Sequence, residues 1–512
     1  MRWLGDTRLT RLRRINVSDV PRARPAREEL PVDGLLVDEQ TFGDLEVFEA
    51  QGGAASLFDL LNRTRTAGGA DTLKARFRRP CARVDRIRAV QDSLRHIVDH
   101  HSTFDLLPDQ GMLAGLEHYL HSNLVLITNL HGFDSLVQAL LVRLDRKLYR
   151  QTVAGVLRTA NAMRALGRFA SAPSLDGTPG ELGVFVEEMR ALLARPALAA
   201  ISAHSAPHSW WQIIRLDREL RHEERPAIER LMRLVFEIDA LLSMAEVMRE
   251  RGFVLPDVAE GPTEAVGEGV YHPFLARPVP NPLAVAQPRR LLFLTGPNMA
   301  GKTTYLRACG TAIYLAHLGM GVPATSFRFS PCDCLFSAIT LADNVREGVS
   351  FFRAEALRVK RIAEALADGR RVLALLDEPF KGTNVKDALD ASRVVFTHLA
   401  QAEGSVFLVS SHLIEVGEAL EPMGTVDCRR FEAREESGRL GFDFVLRPGI
   451  SVQRLGVRVL EEEGVFALLQ RIRPPAAPPE RDSRTDGSSG GRPQPGGPEA
   501  GSESGAASGP GT

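Results

Sequence analysis

The sequence predicts a multidomain protein of mixed α and α/β class, with an all-helical domain followed by a P-loop α/β domain built on a mostly parallel sheet. Up to Gly252, apolar residues recur at the alternating spacings of three and four that form one face of a helix. From about Val254, short apolar runs alternate with helical stretches, which is the pattern of parallel strands and crossover helices. A glycine-rich pattern typical of phosphate binding lies between one such run and a helix.

The chain divides by composition into four predicted segments. The first is a basic N-terminal arm, residues 1–40, whose arginines favour a solvated arm over a phosphate-binding one. A helical core or lever domain over 41–252 and the sheet domain over 253–473 follow. The last segment, 474–512, is so rich in Pro, Gly and Ser that it cannot bury enough apolar surface to fold, and we expect a disordered tail.

The clearest single helix lies at the end of the helical domain. It is predicted to begin at Arg225-Pro226, where proline suits a first turn, and to end at Gly252. In the sheet domain, the sequence predicts a hairpin with arms 426–432 and 439–446 around residues 435–438, and a final helix over about 452–471. The apolar stripe of the long helix consists of Ile228, Leu231, Val235, Ile238, Leu242 and Ala245.

Charge and composition exclude several classes of function. The 63 Lys and Arg residues nearly balance the 64 Asp and Glu residues, so the net charge of -1 offers no global attraction for nucleic acid or an anionic membrane. Any contact with DNA must therefore be local. Five scattered cysteines do not indicate a disulfide framework, and no run approaches the roughly 20 apolar residues of a membrane span. These features predict a cytoplasmic protein without a membrane partner.

The glycine-rich segment fits G-x-x-x-x-G-K-[ST] and follows a buried apolar run, as a phosphate loop does. Its glycines would let backbone N–H groups turn toward phosphate oxygens at the start of a helix, whose dipole adds to the attraction. Lys302 would neutralise the β and γ phosphates and assist catalysis, and the Thr303 hydroxyl would bind Mg²⁺. The predicted ATP-binding residues are Gly296, Pro297, Asn298, Met299, Ala300, Gly301, Lys302, Thr303 and Thr304.

Two adjacent carboxylates end the apolar run 372–376. Asp377 is placed to bind Mg²⁺ together with Thr303. Glu378 could polarise the attacking water, the step that separates an Mg²⁺-dependent ATPase from a module that only binds nucleotide. The alternative is a helix N-cap aspartate beside a solvated neighbour, and the presence of Lys302 makes it the weaker interpretation.

Polar residues also follow the apolar run 406–409, at Ser410-Ser411-His412. Ligands of open α/β sheets bind at the carboxyl ends of the strands, so His412 could contact the γ-phosphate through a water and take part in catalysis. A lone histidine is as often a satisfied structural residue. Position alone does not decide between the two interpretations.

These motifs resemble those of the MutS family of DNA mismatch repair proteins. The Pro-Asn-Met filling of the glycine-rich segment is similar to the family's own phosphate loop, and the segment ending at Glu355 resembles its signature loop. Asp377-Glu378 resembles the family's Walker B element, and His412 its switch histidine. The resemblance covers roughly residues 35–470, and the similar segments are 38–45, 56–57, 62–66, 271–273, 279–281, 295–304, 343–355, 377–384 and 411–412.

The resemblance implies a homodimeric ATPase that pairs through its ATPase domain. In the family, the serine of the signature loop, here Ser350, reaches the γ-phosphate bound by the opposite subunit, and the ATP state alters the helical arms. The implied cofactors are ATP and Mg²⁺. The implied partner is duplex, mismatched or branched DNA, engaged in mismatch repair or recombination.

One feature of the family has no counterpart in a suitable place. The Phe-x-Glu wedge that inserts into a mispair is matched only by Phe185-Val186-Glu187, which lies in a helical run. Two functions therefore stay open: an ATP-gated DNA-binding protein, or a nucleotide-switched scaffold that binds protein partners. The first predicts an ATPase rate that depends on DNA, and the second predicts no such dependence.

Overall fold

The computed structural model describes residues 34–122, 140, 143–203, 209–340, 351–436, 439–453 and 455–471. Most of the predicted arm, the predicted tail and Ser350 lie outside these residues. The described residues up to Leu455 belong to one compact unit, and a second unit begins at Gly456. Within the described part of the chain, no helix combines the length and the apolar character needed to cross a membrane.

The described residues of the predicted helical domain form helices connected by short turns. Their apolar faces share one core, which continues onto one face of the sheet that follows in the chain. The α-helices are Glu39–Asp44, Leu57–Leu61, Ala67–Arg78, Val84–Asp99, Gln110–Leu120, Arg146–Ala170, Gly180–Leu193, Pro196–Ala203, Trp210–Arg218 and Arg225–Arg251.

The long helix Arg225–Arg251 confirms the sequence prediction. Pro226 lies in its first turn, where the missing N–H has no partner to lose. Gly252 ends it in the left-handed conformation with φ +65°, and its N–H is donated to the carbonyl oxygen of Met248. The predicted stripe, from Ile228 to Ala245, is buried in the core.

The sheet domain is built on a mostly parallel sheet, as predicted. The strands in chain order are β1 Leu36–Val37, β2 Asp257–Val258, β3 Glu264–Val270, β4 Asn281–Val285, β5 Leu291–Thr295, β6 Ser326–Ser330, β7 Cys334–Ala338, β8 Val372–Asp377, β9 Val406–Ser410, β10 Val426–Arg430, β11 Ala433–Glu436, β12 Arg439–Phe442 and β13 Arg447–Pro448. Seven of them form the large sheet in the order β1-β7-β8-β9-β5-β10-β13, in which only the pair β10–β13 is antiparallel.

Helices cover both faces of this sheet, which explains why its strands are continuous apolar runs. On β5, Leu292 and Leu294 belong to the core shared with the helical region, whereas Leu291 and Phe293 point into a second core on the other face. A smaller sheet in the order β2-β6-β3-β4 adjoins the domain, and the sequence did not predict it. The helices of this region are Lys302–His317, Phe351–Ala367, Val385–Leu399 and Ile414–Leu420.

The first described segment joins the sheet, at the place where the sequence predicts the end of a solvated arm. Here β1 pairs in parallel with β7, and the Asp38 side chain accepts the N–H of Thr41 to cap the next helix. The Asp44 carboxylate accepts the backbone N–H groups of Ile339 and Thr340, at 2.9 and 2.8 Å. The structure therefore differs from the predicted arm limit at residue 40, because a two-residue strand is too short to produce a periodic pattern.

The end of the described chain differs partly from expectation. A hairpin forms between β11 and β12, so the second predicted arm is confirmed. The first predicted arm, 426–432, is wrong, because it contains β10, which pairs with β5 and β13 in the large sheet. In place of one final helix, there are two short ones, Gly456–Glu462 and Val465–Leu469. Gly464 lies between them with φ +71°, a left-handed conformation that interrupts a helix.

Candidate nucleotide-binding site

The glycine-rich loop connects β5 to the helix Lys302–His317. Gly296 has φ +143° and Gly301 has φ +101°, both in the region that favours glycine. A Cβ on Gly296 would stand 2.7 Å from the carbonyl oxygen of Phe431, closer than such atoms approach. The backbone path of the loop therefore requires glycine at both of these positions. Of the other predicted loop residues, Pro297 and Ala300 are buried, and Asn298, Met299, Thr303 and Thr304 are exposed.

Lys302 lies at the centre of the site and is 5% exposed. Its ammonium group donates to the carbonyl oxygens of Gly296 and Pro297, at 2.9 and 3.2 Å. The same nitrogen stands 3.4 Å from the Oε1 atom of Glu378. The side chain thus places a desolvated cation between the loop and the acidic strand end, where an anionic ligand would be held by charge.

Asp377 ends β8 beside the ends of β9 and β5. The Thr303 hydroxyl donates to its Oδ2 atom at 2.6 Å, and the Ser410 hydroxyl donates to its Oδ1 atom. A hydroxyl oxygen and a carboxylate oxygen therefore lie side by side at the edge of the cleft. Hard oxygen donors of this kind, one or two from the protein, are what Mg²⁺ uses when phosphates and waters complete its coordination.

Glu378 is held in a turn by its backbone. Its φ of +47° is unusual for a residue with a side chain, and its N–H is donated to the Ser410 carbonyl oxygen at 3.0 Å. Its second carboxylate oxygen stands 3.9 Å from the Nδ1 atom of His412, whose side chain is 56% exposed. The structure thus brings His412 next to the predicted catalytic carboxylate, and the exposure of the ring argues against a core histidine.

A second carboxylate, on the helix Phe351–Ala367, holds the turn that contains Glu378. Glu355 is 2% exposed and accepts the backbone N–H groups of Lys381 and Gly382, at 3.2 and 3.3 Å. Burial raises the pKa of the Glu355 carboxyl above its ordinary value, although these N–H donors favour the ionised form. The chain turns sharply between Glu378 and these two N–H groups, with Phe380 at φ +67°. Glu355 therefore acts on Glu378 as a positioning residue, through the backbone.

For the ATPase activity that the sequence predicts, we expect Glu355→Ala to lower kcat roughly tenfold, with a much smaller change in KM. Without Glu355 the strained turn at Glu378 relaxes and the carboxylate leaves its place. Glu355→Gln keeps one acceptor oxygen and should recover part of the loss. Steady-state kinetics on both variants measure the split between kcat and KM. The matched control is Glu364→Ala, an exposed carboxylate on the same helix, and a rise in KM with unchanged kcat would contradict this role.

The loop and the acidic strand end face one cleft of about 640 Å³. Its lining includes the polar residues Lys302, Thr303, Asp377 and Glu378 and several apolar side chains. His272 also lines the cleft, and burial together with the Arg307 cation lowers the pKa of this histidine to about 4. His272 is therefore neutral at pH 7 and can form hydrogen bonds without adding charge. The apolar lining consists of Leu275, Val279, Met299, Phe431 and Phe444.

Asn281 fixes the aromatic side of the cleft, a role that the sequence did not reveal. Its side-chain amide donates to the carbonyl oxygen of Phe444 at 2.9 Å, and its side-chain oxygen accepts the N–H of Leu446 at 2.7 Å. These bonds hold Phe444, with φ +56°, over the loop, where a Cβ on Gly301 would lie 3.2 Å from the ring. The sequence indicated Asn281 only as part of the Val279-Pro280-Asn281 segment that resembles a family element, without a role for its side chain.

Two of the four predicted elements, the glycine-rich loop and the acidic strand end, thus line one cleft, and a third, His412, lies 3.9 Å from Glu378. The fourth, Ser350, lies outside the described residues. The fold and the cleft define an α/β protein with a mostly parallel sheet and a ligand site at the carboxyl ends of its strands.

Comparison with known proteins identifies the family of this region. Residues 292–470 match the family model described as MutS domain V. The DNA mismatch repair protein MutS of Aquifex pyrophilus is 30% identical over 256 residues, which are 49% of this chain and 30% of that protein. The protein of the same name from Nitratidesulfovibrio vulgaris (strain DP4) is 33% identical over 265 residues, 50% of this chain and 29% of that protein. For the one from Natronomonas pharaonis, the values are 32% over 286 residues, 53% and 33%.

These matches support a MutS-family assignment for residues 292–470, the part of the chain that the family model covers. It spans about a third of the length of the curated relatives that it matches.

Proposed function

We propose that this chain binds ATP and Mg²⁺ in the cleft, hydrolyses the ATP, and uses the ATP state to control engagement with DNA. The observation that supports this most is the convergence at the strand ends. Lys302 is within 3.4 Å of Glu378, and Thr303 is within 2.6 Å of Asp377. A cation, a hydroxyl–carboxylate pair and a free carboxylate oxygen are the groups that phosphoryl transfer to water requires.

Each group has a separate role in this proposal. Lys302 binds the β and γ phosphate oxygens, since its ammonium group is already desolvated at the loop. Thr303 and Asp377 hold Mg²⁺, which when bound neutralises developing charge on the phosphates. Glu378 accepts hydrogen bonds from the attacking water and polarises it, and His412 stands beside this carboxylate to orient the same water.

The apolar residues that line the cleft fit the base of the nucleotide. The Phe444 ring is 42% exposed and faces the cleft beside Met299, which is 74% exposed. A purine stacked on the ring would bury apolar surface from both partners. The neutral His272 would supply a hydrogen-bonding group at the edge of the base or the ribose.

The site is proposed to be completed by a second copy of the chain, with Ser350 contacting the γ-phosphate across a homodimer. The exposed loop residues Asn298 and Met299 leave the outer side of the phosphate position open to such a partner. This proposal rests on the family resemblance of the segment that contains Ser350.

A polar network connects this site to the helical region. Arg358, on the helix that carries Glu355, donates to Asp38 and to the hydroxyl of Thr41. Arg307, one turn beyond the glycine-rich loop, donates to Glu46 at 3.1 Å. A shift of either helix on ATP binding would therefore move the segment 38–46, from which the helical region begins.

The ATPase rate on a panel of homoduplex, mismatched and branched DNAs tests the DNA part of the proposal. We expect at least one of these DNAs to change the rate several-fold, because DNA engagement and ATP state are linked. A rate that is measurable but the same with every DNA would contradict it and would favour the nucleotide-switched scaffold.

A further inference from the structure

The helix Arg146–Ala170 carries an exposed basic face, far in sequence from the nucleotide cleft. Between Asp145 and Asp176 the chain contains six basic residues and no carboxylate, although the whole protein has a net charge of -1. Five of the six are exposed, and together they form what we call the basic stripe: Arg146, Lys147, Arg150, Arg158 and Arg168.

The geometry of the helix directs the basic stripe to solvent. At about 100° per residue, the five positions fall within roughly 120° of the helix circumference. The opposite face is buried in the core through Val156, Met163, Leu166 and Phe169, each at most 1% exposed. The helix therefore cannot rotate to hide its charges, and the stripe is a fixed feature of the surface.

The basic stripe differs from other arginines of the helical region in its lack of acidic partners. Among the described residues, no Asp or Glu forms an ion pair with any of its five members. Elsewhere in the helical region arginines are paired, as Arg190 is with Asp176 and Arg221 with Asp217. Five cations on one face, without acidic partners in the described part of the chain, make a local positive potential in a protein whose net charge is only -1.

A groove runs along one side of the basic stripe. It has a volume of about 640 Å³ and is lined by Arg150 and Arg158 together with His118, His121 and Ser122. Its floor is tight because Gly155 lets the helix approach the next one: a Cβ there would lie 2.0 Å from the Tyr119 ring. The carboxylates that face the groove from the neighbouring helices are few. Glu117 is exposed, and Glu229, 3.8 Å from His121, is also bound by Arg225.

We propose that the basic stripe is a contact surface for the phosphate backbone of duplex DNA. The choice of DNA as the partner rests on the proposed function; the choice of a polyanion rests on the charges alone. From Arg146 to Arg168 the helix rises about 33 Å, which is close to one turn of a duplex, roughly ten base pairs. A duplex presents a negative charge about every 1.7 Å along its axis, counting both strands, so phosphates recur along the whole length of the stripe.

An anionic membrane is the less suitable partner. Helices that bind membranes through basic residues also insert large apolar side chains from the same face. None of the exposed large apolar residues in the described chain lies on Arg146–Ala170, and the exposed positions between the cations include Gln151 and Asn161. The stripe is polar throughout, which suits a backbone of phosphates.

The test is DNA affinity as a function of salt for the full chain carrying Arg146→Ala, Arg150→Ala and Arg158→Ala together. For a 30-base-pair homoduplex at about 0.1 M salt, we expect the triple variant to bind on the order of 10- to 100-fold more weakly than the parent. The slope of log affinity against log salt should fall by about 2 to 3, close to 0.9 for each lost phosphate contact. The ATPase rate without DNA should not change.

A second triple variant controls for loss of charge alone. Arg86, Lys360 and Arg393 are exposed basic residues on other helices, and their joint replacement by alanine removes the same charge. An equal loss of affinity in this control, or no loss in the first variant, would overturn the proposal. So would tighter binding to single-stranded DNA or to anionic phospholipid vesicles with the same dependence on the three arginines.

Measurements on the parent protein distinguish the proposed DNA contact from the proposed ATPase activity. A parent protein that hydrolyses ATP but binds no DNA would overturn the basic stripe and leave the cleft intact. A parent protein that binds DNA through the stripe but shows no ATPase activity would support the stripe and contradict the catalytic role of the cleft.

Discussion

Glu378→Gln is expected to stop ATP turnover while ATP still binds. The substitution removes the carboxylate that polarises the attacking water, a contribution worth roughly 10²- to 10⁴-fold in rate. Glutamine has the same size, and its amide oxygen can stay near the Lys302 ammonium group, which lies 3.4 Å from the native carboxylate. The loop, Lys302 and Asp377 therefore keep their geometry. Single-turnover hydrolysis and equilibrium ATP binding should show a loss of rate with an affinity within a few-fold of the parent.

Glu418→Gln is the matched control for this prediction. It makes the same chemical change at an exposed position of the helix Ile414–Leu420, outside the cleft, and should leave both quantities unchanged. Full hydrolysis by Glu378→Gln would show that another group activates the water. A parallel loss of ATP binding would show that the substitution disturbs the loop as well, and that the assigned division of roles is wrong.

Much of the fold could be predicted because its signals are local. The long helix Arg225–Arg251 has both a first-turn proline and a final glycine, and the strands of the large sheet are continuous apolar runs buried on two faces. The strand β1 and the small sheet could not be predicted, since their register depends on partners far away in sequence: Leu36 pairs with Cys334, and Ala265 pairs with Phe329. Such pairings leave no periodic pattern in a short segment.

The residues of the candidate site also fall into those that a local pattern predicts and those that it does not. Lys302, Asp377 and Glu378 could be found because each follows an apolar strand in a spacing that phosphate chemistry requires. Glu355 and Asn281 could not be found in this way. Each acts by binding the backbone of a distant segment, and any carboxylate or amide on a helix or strand gives the same local pattern.

The basic stripe was missed for a different reason. The net charge of -1 does not indicate a basic surface, and the densest group of arginines lies near the start of the chain. The cations of residues 146–168 are spread over more than twenty positions and form no comparable group in the sequence. Only burial of the opposite helix face shows that they share one side. The position of this charged surface can therefore be derived only from the folded structure.

Lys302→Ala is expected to abolish ATP binding at concentrations that saturate the parent. The ammonium group is 5% exposed, so its bonds to phosphate oxygens form in a site with little water, where each charge-assisted bond contributes about 1.5 to 3 kcal/mol. Losing one or two of them weakens ATP binding on the order of 10- to 10⁴-fold. The substitution also leaves the Glu378 carboxylate facing the phosphates without a cation beside it, which adds repulsion.

Equilibrium binding of a fluorescent ATP analogue measures this loss, and thermal unfolding without nucleotide tests whether the variant is folded. Lys386→Ala serves as the control, because it removes a lysine at an exposed position on the helix Val385–Leu399. If Lys302→Ala is folded and binds ATP as tightly as the parent, the loop does not bind the phosphates. The assignment of Mg²⁺ to Thr303 and Asp377 would then fail too, because both assignments depend on a triphosphate lying between the loop and β8.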